Sequence, residues 1–173
     1  GHAPQVALAD SAKGSVMAIA EALTNIVGAP LKNGLKSVSL SANWMWPCKN
    51  PGEDAALYRA VEACSDFAVA LGINIPTGKD SLSMTQKYGD EKVFAPGTVI
   101  ISASGETADV RRTVTPVLQK QAKSQLYYID FSADALRLGG SAFAQSLNSI
   151  GSDAPTVTDA DYFKRAFAAV QSL

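Results

Sequence analysis

Two helical stripes, each closed by a glycine, alternate with short apolar strands through the first half of this sequence. That alternation restricts the chain to folds in which helices are layered on a sheet. Residues 14–27 read as a helix: at 100° per residue Val16, Ile19, Leu23, Ile26 and Val27 share one side, while Gly14, Met17, Glu21, Thr24 and Asn25 share the other. Gly28 and Pro30 stop it. A half-buried strand follows at 36–40, then a loop, 41–52, rich in Asn, Trp and Pro. Asn50 is placed as the cap of a second helix, with Pro51 in its first turn and Glu53 and Asp54 near its positive end. Its stripe is Leu57, Val61, Cys64, Ala68 and Leu71, and Gly72 ends it.

Further along, 73–75 is a short strand that leads into a turn at Pro76-Thr77-Gly78-Lys79-Asp80-Ser81. Strands are expected at 82–86 and 99–104, with a turn at Gly89-Asp90 between them. The pattern resets around 105–116, which places a domain boundary between residues 107 and 108. Beyond it, 126–131 (LYYIDF) is expected to be a buried strand, and 139–150 and 159–173 helices. The last helix is apolar at Phe163, Phe167 and Val170 with little sequence left to cover it. The chain therefore reads as an α/β (α+β) fold that is incomplete at its C-terminal side.

Composition narrows the function. The 173 residues are 47% hydrophobic and 18% charged, enough apolar material for a core and too few charges for disorder. With 15 basic against 16 acidic residues there is no excess of cations to track a nucleic acid backbone. No apolar run reaches the roughly 20 residues of a membrane span. A soluble, cytoplasmic protein with no nucleic-acid or membrane partner is expected. The single histidine, His2, sits at the N-terminal end, so histidine-centred catalysis or zinc binding has little support. Cys48 and Cys64 lack metal-ligand spacing, and no second histidine stands ready to activate either.

Three strings can carry chemistry. Glu21 and Asn25 lie four residues apart on a helix and project together, so a carboxylate and an amide oxygen can share a hard cation such as Mg²⁺. The same pair is also what a solvated helix face looks like, and alone it does not separate the two readings. Lys79-Asp80-Ser81 offers a cation to phosphate and oxygens to a metal, but lacks Walker A spacing and equally suits a plain turn. Trp44 and Trp46 favour packing.

In this order the strings AIAEALTNI, LSANWMWP, NPGEDAALY, INIPTGKDSLSM, PGTVIISASGE, DVRRTVTP, LGGSAFAQSL and DADYFKRAFAAVQ are far more specific than any one of them. Together they resemble the large, single-chain phosphoribosylformylglycinamidine synthase family, over nearly the whole sequence. The resemblance implies an aminoimidazole ribonucleotide synthetase-like fold, with mixed sheets and helices on one face. It makes residues 1–107 the end of the N-terminal domain of the second synthetase half, and 108–173 a truncated start of its C-terminal domain. It also implies an ATP- and Mg²⁺-dependent ligase that converts formylglycinamide ribonucleotide to formylglycinamidine ribonucleotide with ammonia released from glutamine.

On that resemblance Glu21 and Asn25 become Mg²⁺ ligands beside bound ATP or ADP, and Lys79, Asp80 and Ser81 lie near a nucleotide or a domain interface. The family's other aspartate ligands fall outside Gly1–Leu173, as does the glutaminase with its catalytic cysteine, which neither Cys48 nor Cys64 matches. The piece is expected to be inactive alone and to need the remainder of the synthetase and the glutaminase as partners. A non-catalytic nucleotide-binding or scaffolding domain is the alternative. A sheet surface left bare by a missing partner would favour a dimer of the isolated piece.

Overall fold

The layer that the helical stripes demand is a three-stranded sheet, ordered β2-β1-β5, in a computed structural model that describes residues 1–173. Strand β1 (Val38–Met45) is central, parallel to β2 (Asn74–Ser81) and antiparallel to β5 (Thr98–Gly105). Val38, Leu40 and Ala42 point into the core, while Ser39, Ser41 and Asn43 alternate onto a partly exposed face. The strand therefore runs five residues past the end expected for it, because Ser41 to Met45 pair with both β2 and β5 despite the loop-like Asn and Trp.

Helix α2 (Ser11–Ile26) is buried at Gly14, Ser15, Val16, Ala18, Ile19, Ala20, Ala22 and Leu23, well beyond a single stripe. Its small residues allow close neighbours on several sides. Gly14, expected on the polar side, is covered by α1 (Pro4–Ala9): a Cβ there would come 2.6 Å from that of Ala7. Helix α1 is too short to carry a stripe and was not expected from sequence. Asp10 caps α2 by accepting a 3.1 Å hydrogen bond from the Lys13 N–H.

Helix α3 (Glu53–Leu71) begins at Gly52, whose φ is 83°, and ends at Gly72. Asn50 is not its cap. It is buried, and its Nδ2 donates to the Pro47 carbonyl at 2.9 Å and to Thr85 Oγ1 at 2.8 Å. The buried stripe of α3 is Ala60, Cys64, Phe67, Ala68 and Leu71, and the expected member Val61 is 42% exposed.

The segment expected to turn at Pro76–Ser81 is instead the outer part of β2, with Thr77 opposite Ser41 and Lys79 opposite Asn43. Proline is tolerated there because β2 is an edge strand. A hairpin of β3 (Thr85–Tyr88) and β4 (Glu91–Phe94) follows, turning at Gly89-Asp90 as expected, so only the end of 82–86 is strand.

Beyond Gly105 regular structure thins. LYYIDF forms no strand: it finds no partner ladder, and Leu126, Tyr127 and Tyr128 are 80–87% exposed. Of 139–150 only α4 (Ala142–Ser146) is helical. Helix α5 (Ala160–Gln171), capped by Asp159, does find cover within the chain. Phe163 and Phe167 join the same core as α2, α3 and the sheet, and Phe163 meets Phe67 edge-on at 5.9 Å and Phe131 at 5.4 Å. Gln171 closes the end of α2, donating to the carbonyls of Val27 and Ala29 and accepting from the Leu31 N–H at 3.0 Å. Phe163→Ala is expected to cost about 3–5 kcal/mol, measured by urea unfolding, because the side chain is fully buried between two other rings.

Candidate functional site

The deep packing of α2 leaves Glu21 and Asn25 exposed one turn apart on the same helix. The backbone N–H of His2 donates to Glu21 Oε2 at 3.1 Å, which holds one carboxylate oxygen and leaves the other free. Glu21 stands in the wall of a cavity of about 690 Å³; Asn25 is not part of that wall. Met17, Ala20 and Thr24 line the α2 side, and Tyr128, Asp130, Phe131 and Arg137 line the facing side. The volume falls within the roughly 300–1,000 Å³ of small-molecule sites.

Two neutral or anionic oxygen donors suit a hard cation. No group of three His, Cys, Asp or Glu residues is placed to hold a metal. A carboxylate and an amide oxygen are nonetheless donors of the kind Mg²⁺ accepts, and this ion keeps several waters where protein ligands are few.

Lys79, Asp80 and Ser81 are elsewhere. They lie on edge strand β2, Lys79 Nζ donates to Ser81 Oγ at 3.1 Å, and none of them lines the Glu21 cavity. The structure therefore does not bring the two sequence-derived sets into one cavity. A second cavity, of about 700 Å³ between the α1–α2 junction and the start of α3, contains none of them either.

The facing wall holds residues that sequence reasoning passed over. Asp130 Oδ1 accepts from the N–H and hydroxyl of Ser132, whose Oγ in turn accepts from the Asp134 N–H at 3.1 Å. An Asp-x-Ser-x-Asp spacing is a signal for such a turn. Arg137 Nε donates to Asp134 Oδ2 at 3.0 Å and its Nη1 to Asp153. Burial pushes Asp134 upward, but the hydrogen bond and charge of Arg137 and the N–H groups of Ala135 and Thr156 outweigh it, so the carboxyl lies below its usual range. The Tyr162 hydroxyl of α5 donates to the Asp130 carbonyl at 2.9 Å and ties this wall to the core.

Residues 1–106 match a family model described as the FGAR-AT PurM_N-like domain. The chain belongs to this family. It is 42% identical over 174 aligned positions to the Homo sapiens phosphoribosylformylglycinamidine synthase, covering 100% of this chain and 13% of that protein. It is 41% identical, again over its full length, to a probable chloroplastic/mitochondrial phosphoribosylformylglycinamidine synthase of Arabidopsis thaliana, of which it covers 12%. The chain thus spans about an eighth of the length of these relatives. A solved structure, T. maritima PurL complexed with ATP, aligns over 61% of this chain and 17% of that one, with a TM-score of 0.45 and 19% identity, too distant to bear on the site. No helix is long and apolar enough to cross a membrane.

The cysteines of this family member have no nucleophile's setting. Cys48 is half-buried and its thiol is raised by burial and by the charges of Asp54 and Glu53; Cys64 is buried and pushed up to about 11. A raised pKa leaves less thiolate at neutral pH. An aromatic disulfide reagent at pH 7.5 is expected to label Cys48 more slowly than a free thiol and to reach Cys64 only after unfolding, with the Cys48 rate still climbing above pH 9.

Proposed function

We propose that this chain is a section of an ATP-dependent phosphoribosylformylglycinamidine synthase, with residues 1–107 ending one synthetase-like N-terminal domain and 108–173 beginning the C-terminal domain that follows. The observation that carries the site reading is the free carboxylate oxygen of Glu21 at the wall of a nucleotide-sized cavity, inside the segment matched by the family model. On this reading the protein works in the cytoplasm with the remainder of its synthetase and a glutaminase. The section alone does not turn over substrate.

In the whole enzyme, the amide oxygen of formylglycinamide ribonucleotide takes the γ-phosphoryl group of ATP, releasing ADP. Ammonia then displaces phosphate to leave the amidine. Mg²⁺, when bound, neutralises phosphate charge. This chain's part is to hold a nucleotide: Glu21 would present an oxygen to the metal with Asn25 one turn along the same helix, His2 fixes the Glu21 carboxylate, and Tyr128 to Phe131 line the facing wall. We assign the bare, serine-rich face of β1 and β5, together with Lys79 and Ser81 on β2, to pairing with the other synthetase half. Their β-register places Ser39, Ser41, Asn43, Lys79, Ser102 and Ser104 on one surface.

Thermal unfolding of the full-length synthase with and without Mg·ADP tests the assignment. Bound nucleotide stabilises by mass action, about 2.7 kcal/mol at a hundredfold excess over Kd. Glu21→Ala is expected to abolish most of the ligand-induced rise in Tm while leaving the ligand-free Tm within a few degrees. A rise equal to that of the unaltered enzyme would overturn Glu21 as a metal ligand.

A further inference from the structure

We propose that Arg137 is the cation that meets the nucleotide phosphate beside Glu21. This rests on the reading of Glu21 as part of a metal–nucleotide site and adds a residue to it. A cationic side chain in the same cavity as the metal ligand can pair with phosphate oxygens that the metal leaves free. Lys79, the cation that the sequence offers for that task, is on the edge strand and outside the cavity, whereas Arg137 shares its wall with Glu21.

The guanidinium is prepared for such a contact. Asp134, whose side chain is only 7% exposed, grips Nε, and Asp153, 67% exposed, takes one N–H of Nη1. Of the five N–H donors of an arginine, three stay uncommitted. The buried partner fixes the plane of the group. The exposed partner is weakly held, because a solvated ion pair contributes little, and it is the one a phosphate can displace. Arginine presents paired donors that match phosphate oxygens, which the single ammonium of a lysine does not. Asp130 and Glu21 line the same cavity and Arg137 is its one cationic side chain, so without Arg137 the only charges offered to an anionic ligand would be carboxylates.

Arg137 is thus a positioning residue for the phosphate, and a structural role would give a different signature. The test measures Mg·ADP and adenosine affinities of the full-length synthase by competition against a fluorescent ADP analogue, for Arg137→Met, Arg137→Lys and Glu21→Ala. Arg137→Met is expected to weaken Mg·ADP about tenfold to a hundredfold, the range of a lost charge-assisted hydrogen bond. Adenosine affinity stays unchanged, and Arg137→Lys recovers part of the loss. If Arg137→Met does not fold, the same contrast between Mg·ADP and adenosine is read from Arg137→Lys. Equal losses for both ligands would make Arg137 structural and overturn the proposal. Unchanged Mg·ADP affinity in the arginine variants, with a loss in Glu21→Ala, would overturn it while leaving the metal–nucleotide site standing. No loss in any variant would remove that site and the proposal together.

Discussion

Everything in this chain is arranged around how deeply α2 is buried. A helix lined with Gly14, Ala18, Ala20 and Ala22 lets α1, α3 and β5 approach it closely, which long side chains would prevent. The cost is that little of α2 remains to face outward. What does face outward is Glu21 and Asn25, and their position is set by the packing behind them more than by any contact of their own. The N-terminal residues reinforce this placement: Gly1 and Ile101 exchange backbone hydrogen bonds of 2.8 Å along β5, which delivers the His2 N–H to the Glu21 carboxylate.

The cavity has a second dependence, on α5. With no ladder to hold it, the segment from Gln125 to Ser132 would have no fixed relation to α2. Tyr162 holds the Asp130 carbonyl, Phe163 packs Phe131, and Gln171 satisfies three backbone groups just past α2. One helix thus anchors both walls. A site built from residues more than a hundred positions apart acquires definite geometry because a single amphipathic element is buried against α3.

Period-based reasoning read the long helices well, since Ile19, Leu23, Cys64, Ala68, Phe163 and Phe167 sit where their spacing places them. It failed where composition and period disagreed. Asn43 and Trp44 look like loop residues, and Pro76 to Ser81 like a turn, yet both stretches are strand because backbone pairing with a neighbour overrides weak local preference. LYYIDF fails in the opposite sense: its β propensity is high, but within this chain no strand pairs with it. Glu21 was readable as a candidate because Asn25 is four residues away on one helix. Arg137 was not, because an arginine near two aspartates is unremarkable until the fold sets it across a cavity from a third carboxylate.

That juxtaposition also limits what can occupy the cavity. Two carboxylates, Glu21 and Asp130, share the wall with one guanidinium that Asp134 and Asp153 already neutralise. A bare polyanion meets net repulsion there, and a bare cation meets an arginine. A phosphate that carried its own divalent metal would meet neither: Glu21 would take the metal, and the phosphate oxygens would compete with exposed Asp153 for Arg137. On this reading the metal is a condition of binding rather than an accessory to it, and the apolar surface of Tyr128, Ile129 and Leu136 is left for the uncharged end of the ligand.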